Sequence, residues 1–208
     1  MPELDCSGCS ALTTLACKTN DKLLELDCSG CSALTTLTCT ANAKLPELDC
    51  SDCTSLKTLT IEDCSAMQSI NVSNLTNLNS AEIINNDALT SVGINGCSAL
   101  STLDCYGNQT LPELDCSGCV ALTTLNCYSN DALASLNISD CVALKVLKCY
   151  SCAFESLDIS NNTAITSLDC SPNENLTTLY MKEGHTISSI NNKRSASYIP
   201  DATEIIYK

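Results

Sequence analysis

The chain divides into nineteen blocks that read alike, beginning MPELDCSGCSA, LTTLACKTNDK, LLELDCSGCSA. Eighteen blocks are eleven residues long, and one, residues 144–153, is ten. A unit this short has no core of its own and must stack on copies of itself, so the repeat decides the architecture before any single motif does. It says less about chemistry, because residues that recur in every block are there first to pack.

Each position of the block has a role. The first is apolar throughout, from Met1, Leu12 and Leu23 to Phe154, Ile165 and Leu176. The fourth runs Leu4, Leu15, Leu26, Leu37, Leu48 and Leu59, with Ala81 its weakest member. The sixth is Cys (Cys6, Cys17, Cys28) or an apolar β-branched residue (Ile61, Val72, Ile83, Ile94). Positions four to seven thus alternate inward and outward, the period of a short strand with one buried face. The ninth is Asn or Cys: Cys9, Asn20, Cys31, Asn42, Cys53, Cys64, then Asn86 to Cys152. An inward Asn or Cys at the end of a strand is placed to hydrogen-bond backbone groups that the turn leaves unpaired.

A period of twenty-two overlies the eleven. Odd blocks carry Pro-Glu-Leu-Asp at 46–49 and 112–115, with Leu24 replacing Pro in one copy, and even blocks carry Thr-Thr-Leu at 13–15, 35–37 and 123–125. One coil is therefore two blocks. The pattern L-x-x-L-x-C-x-x-[CN] resembles the leucine-rich repeat, L-x-x-L-x-L-x-x-[NC]-x-L. In its nested, Cys-containing form it is similar to repeats in surface proteins of Bacteroidetes-type gut bacteria. The likeness lapses at Leu75, where the Asn/Cys position is apolar, and in the last two blocks.

The expected fold is a mainly β, right-handed leucine-rich-repeat superhelix of about nine 22-residue coils, roughly 45 Å long at the spacing of neighbouring strands. Because both blocks carry the strand pattern, two facing parallel sheets are expected; one sheet with an irregular opposite side is the alternative. Little helix is expected, since Ser, Thr, Asn and Asp crowd every turn. The chain reads as one domain, 1–208, with regular repeats over 1–186 and a degenerate repeat and cap over 187–208, where Tyr198, Pro200 and TEIIYK depart from the pattern.

A net charge of −14 argues against nucleic acid, which needs a basic footprint. The basic pair Lys193-Arg194 reads as a solvated turn. No apolar run is long enough for a membrane span. Met1 begins directly on a repeat, without the charged and apolar regions of a signal peptide, so a secreted or cell-surface location implies a leader absent from this chain. A first coil without a polar cap exposes its apolar layer and favours self-association through that end.

Eighteen cysteines admit three readings: disulfides, zinc held by the CxxC pairs such as Cys6/Cys9 and Cys50/Cys53, and buried core thiols. All fall at position six or nine, ten and eight respectively. At six they exchange with Ile, Val and Met, which neither cross-link nor bind metal; at nine they exchange with Asn. That pattern favours packing, with Cys acting as a small hydrophobe, and predicts no metal and no cofactor.

Function is expected at the outward positions. Odd blocks give acidic ladders, Glu3/Asp5/Ser7 through Glu113/Asp115/Ser117. These read as a solvated acidic face, with calcium as the alternative. Even blocks place Tyr106, Tyr128 and Tyr150 twenty-two residues apart at position seven, flanked by Asp104, Asn126 and Lys148 at position five. An exposed aromatic column beside amide and charged groups suits a protein or carbohydrate ligand; simple stacking across strands is the plainer explanation. No nucleophile elbow or phosphate loop occurs, and the one histidine, His185, lies in a turn-like Gly-His-Thr. The sequence therefore reads as a non-enzymatic recognition module with no catalytic residues. The alternative is a spacer domain of a larger surface protein.

Overall fold

The computed structural model describes residues 1–187, 189–190 and 203–208. Lys193, Arg194, Tyr198 and Pro200 lie outside the described residues. The chain is a parallel β-solenoid with one short strand per block, β1 to β19 in chain order. The even blocks supply β2 (Thr14–Lys18), β4 (Thr36–Thr40), β6 (Thr58–Glu62), β8 (Ser80–Ile84), β10 (Thr102–Asp104), β12 (Thr124–Asn126), β14 (Val146–Lys148), β16 (Ser167–Asp169) and β18 (Ser189–Ile190), which form one continuous nine-stranded sheet. The odd blocks form the opposite wall in four pieces: β1 (Glu3–Asp5) with β3 (Glu25–Asp27); β5 (Glu47–Asp49), β7 (Ser69–Asn71) and β9 (Ser91–Gly93); β11 (Glu113–Asp115) with β13 (Ser135–Asn137); and β15 (Ser156–Asp158), β17 (Thr178–Met181) and β19 (Glu204–Tyr207). The expected two sheets are present, one whole and one interrupted.

The interruptions have a backbone cause. On the even wall each second-position N–H donates to the second-position carbonyl of the coil before, as in Thr35 to Thr13 (2.9 Å), Lys57 to Thr35 (2.9 Å) and Thr123 to Ser101 (2.9 Å). On the odd wall Leu24 donates to Pro2 (2.7 Å) and Gln68 to Pro46 (2.7 Å). Pro46 and Pro112 have no N–H to give, and the ladder stops ahead of each, between β3 and β5 and between β9 and β11. The third break, between β13 and β15, follows the ten-residue block. There the register across the even wall shortens by one, Val146 pairing with Ser167 where other coils pair residues twenty-two apart.

The block grid does not hold to the end of the chain. It places Pro200 opposite Thr178, but Thr178 pairs with Glu204, and 204 − 178 gives a separation of 26. The phase has slipped by four residues, and TEIIYK, which departs from the sequence pattern, supplies β19. Lys208 closes this strand, its Nζ 2.8 Å from the Asp158 carboxylate and 3.8 Å from the Tyr180 ring centroid.

Inward residues of both walls meet in one core. Position nine explains why Asn and Cys exchange there. Asn42, Asn108 and Asn130 each donate a side-chain N–H to the sixth-position carbonyl of the preceding coil, at Cys17 (2.9 Å), Ile83 (2.8 Å) and Cys105 (2.8 Å). The thiols of Cys31, Cys97 and Cys119 reach the equivalent carbonyls of Cys6 (3.2 Å), Val72 (3.1 Å) and Ile94 (3.4 Å). Both side chains satisfy the same buried acceptor. Position eight turns the chain with a left-handed backbone, at Gly118 (φ 73°) for example. A Cβ there would sit 3.0 Å from the Gly96 Cα.

Sixteen of the eighteen cysteines are buried, and all eighteen are free thiols. The first coil departs from the expectation that every cysteine is core: Cys6 is half-buried and Cys9 exposed. Burial pushes Cys105 and Cys119 up to about 12, which keeps these thiols protonated at neutral pH.

Candidate functional site

The outward faces of the two walls differ because their fifth and seventh positions differ. On the odd wall the acidic ladder is also a turn device. The carboxylates of Asp5, Asp27, Asp49 and Asp115 each accept the backbone N–H two residues on, at 2.8–2.9 Å. This is an Asx-turn closing each strand. Hydrogen bonds from the Ser7 side chain and backbone hold the Asp5 carboxyl below the usual carboxylate range, and the Ser51 backbone N–H does the same for Asp49. Like charges still face one another, Glu3 opposite Glu25 and Asp5 opposite Asp27. Asn71 and Asn137 relieve this by donating amide hydrogens to Asp49 (3.2 Å) and Asp115 (2.8 Å). The sequence reading missed the capping role. Its signal was the recurrent Asp-x-Ser spacing.

On the even wall, strands β10, β12 and β14 pair in register, placing Asp104, Asn126 and Lys148 side by side. Two residues on, Tyr106, Tyr128 and Tyr150 form the column that their spacing predicts. Ring centroids are 4.5 Å apart for Tyr106–Tyr128 and 4.6 Å for Tyr128–Tyr150, with interplanar angles of 10° and 9°. The expectation of an exposed column needs correction, because all three rings are half-buried. Each ring covers the face of its neighbour, so the column offers solvent its edges and hydroxyls rather than open faces. At position seven one coil earlier, Ile84 is only 8% exposed, and Glu62 stands beside it in the coil before that.

The polar flank is also internally organised. The Asn126 side-chain amide donates to the Asp104 carboxylate. The Asn126 side-chain oxygen is buried without a hydrogen-bond partner. Lys148 stands opposite Asp169 in register. Burial raises the Asp169 carboxyl above its ordinary range, and the Lys148 charge opposes that shift. All six residues that the sequence singles out thus lie together on one stretch of the unbroken sheet.

His185 is not the freely solvated turn residue that its sequence context suggests. Its Nε2 lies 2.9 Å from the Ile165 carbonyl, and its Nδ1 is buried without a partner. Among the described residues no helix is long and apolar enough to cross a membrane.

Stacking has a measurable consequence at Tyr128. Burial, with Tyr106 and Tyr150 on either side, pushes its phenol up to about 12 from an ordinary 10.0. The protonated ring therefore favours the folded chain, and that contribution is present below pH 10 and lost as pH rises through about 12. An ultraviolet titration should show a tyrosinate step near pH 12 that Tyr128→Phe abolishes. A step that persists in the variant would refute the assignment.

No protein-family model matches the chain, and no curated protein does. Solved structures are similar in fold. The functional domain of InlJ from Listeria monocytogenes, described as including a cysteine ladder, is 23% identical with a TM-score of 0.32, over 88% of this chain and 58% of that one. A leucine-rich repeat protein from Bacteroides ovatus is 14% identical with a TM-score of 0.35, over 86% of this chain and 51% of that one. An internalin, inlF, from Listeria monocytogenes is 13% identical with a TM-score of 0.22, covering 84% and 82%. The chain thus spans little more than half the length of the first two. The chain itself is a solenoid with a 22-residue period.

Proposed function

We propose that the chain is a non-enzymatic recognition module of an exported bacterial surface protein, binding a protein or glycan along the unbroken even wall. The observation that carries this reading is the tyrosine column with its polar flank, Asp104, Asn126 and Lys148. Three rigid rings held at sheet spacing present edges and hydroxyls that need no further ordering on contact, which lowers the entropic cost of binding. Adjacent amide, carboxylate and ammonium groups supply directional bonds.

The test begins with glycan and protein arrays probed with the chain, followed by titration of the strongest ligand. Tyr106→Ala with Tyr128→Ala should weaken that ligand at least tenfold. The two lost stacks are worth about 1–3 kcal/mol together, so the melting temperature should fall by roughly 2–12 degrees in a chain this size. The double Phe variant keeps the stacks and removes two hydroxyls, separating ring contact from hydrogen bonding. An array without ligands, or unfolding of the Ala variant in step with its binding loss, would leave the column as sheet stabilisation in a spacer domain.

A further inference from the structure

Three thiols gather beneath one of the seams in the odd wall. Cys28 and Cys50 follow β3 and β5 at position six, and Cys53 occupies position nine of the same coil as Cys50. Their sulfurs all lie within 4.8 Å of one another, and Cys28 Sγ is 3.4 Å from Cys50 Sγ. All three side chains are at most 1% exposed. Along most of this wall stacked strands close over such residues. Here Pro46 cannot donate to Leu24, β3 and β5 are unpaired, and Cys28 Sγ donates to the Asp49 carbonyl at 3.6 Å. Directly outside lies a groove of about 560 Å³ lined by Leu24, Glu25, Asp27, Pro46, Glu47 and Asp49. Asp27 and Asp49 are the immediate chain neighbours of Cys28 and Cys50, so only backbone separates the acidic groove from the thiols.

We propose that Cys28, Cys50 and Cys53 form a binding site for a soft monovalent cation, Cu(I), which enters from the acidic groove through the β3–β5 seam. Thiolate sulfur selects soft ions. A planar ion about 2.3 Å from each of three sulfurs needs them about 4 Å apart, which the present separations reach with small movements. Zinc asks for a fourth ligand, and among the described residues no other thiol, carboxylate or imidazole lies within 4.8 Å of all three sulfurs. Charge also favours a monovalent ion: the first thiol proton displaced cancels the ion's charge, so Cu(I) enters and one proton leaves without adding charge to the interior. The groove carboxylates concentrate cations at the entrance. This proposal does not depend on the tyrosine column.

The test loads the full, reduced chain anaerobically with Cu(I) supplied as its acetonitrile complex, against the competing chelator bathocuproine disulfonate, and reads stoichiometry by native mass spectrometry. One ion per chain should survive the chelator. Cys50→Val and Cys53→Asn should each weaken its retention at least tenfold, whereas Cys127→Val, behind β12 and its two paired neighbours, should not change it. The chain itself carries Val72 and Asn162 at equivalent positions of the odd wall, so these variants suit the fold, and a thermal melt checks it. The proposal is overturned if no ion survives the chelator, if both site variants retain it as well as the parent, or if several ions bind with similar strength along the thiol ladder.

Discussion

Leu114→Ala is expected to remove about 2–5 kcal/mol of stability, the usual cost of emptying a well-packed leucine site. Leu114 is 1% exposed and Leu125, facing the core from the other wall, is fully buried; the same loss is expected for Leu125→Ala. Leu114 pairs with Leu136 on one side, and Leu125 lies between Leu103 and Leu147. Ser117→Ala, three residues from Leu114 but facing outward, should cost under about 0.5 kcal/mol. Urea unfolding of the three variants checks this. Similar costs for Leu114 and Ser117 would show that the inside and outside of the coil are wrongly assigned.

Asn108→Ala should be comparably damaging for a different reason. The side chain is fully buried; its oxygen accepts the Asn86 backbone N–H at 2.9 Å, and its amide donates to the Ile83 carbonyl at 2.8 Å. Alanine leaves both buried groups unpaired. Each unsatisfied group costs about 1–3 kcal/mol, so the expected loss is roughly 2–6 kcal/mol. Asn108→Cys should recover part of it, because thiols at this position reach the same class of carbonyl, as Cys97 does at Val72. The Asn86 N–H would remain without its acceptor. If Cys proved no better than Ala, the shared-carbonyl account of the Asn/Cys exchange would fail.

The fold was legible because the repeat tests each inference many times. Leucine at positions one and four, and β-branched residues trading with cysteine at six, identify an inward face whatever the details of the turns. Asparagine trading with cysteine at nine identified a buried polar ladder. What was hidden depends on pairing between coils. Pro46 and Pro112 are visible in the sequence, but their effect follows only once their missing N–H groups are known to face Leu24 and Thr90. The half-burial of the tyrosines, likewise, comes from the 4.5 Å approach of their rings, not from any property of tyrosine at position seven. The four-residue slip before β19 falls where the pattern had already weakened, so nothing in the blocks signalled it. The three-thiol cluster combines residues from two coils beside a broken ladder, which no spacing within one block contains.

The uneven walls give this rod a preferred direction of bending. Hydrogen bonds along the even wall run from coil to coil without a gap and resist lengthening, whereas the odd wall is tied only within its four pieces. A load applied across the long axis should therefore open the seams ahead of Pro46 and Pro112 first, with the tyrosine-bearing sheet as the neutral spine about which the coils hinge. The solenoid behaves less like a rigid post than like a jointed strip, and two of its three joints were written into the chain by residues that lack a hydrogen.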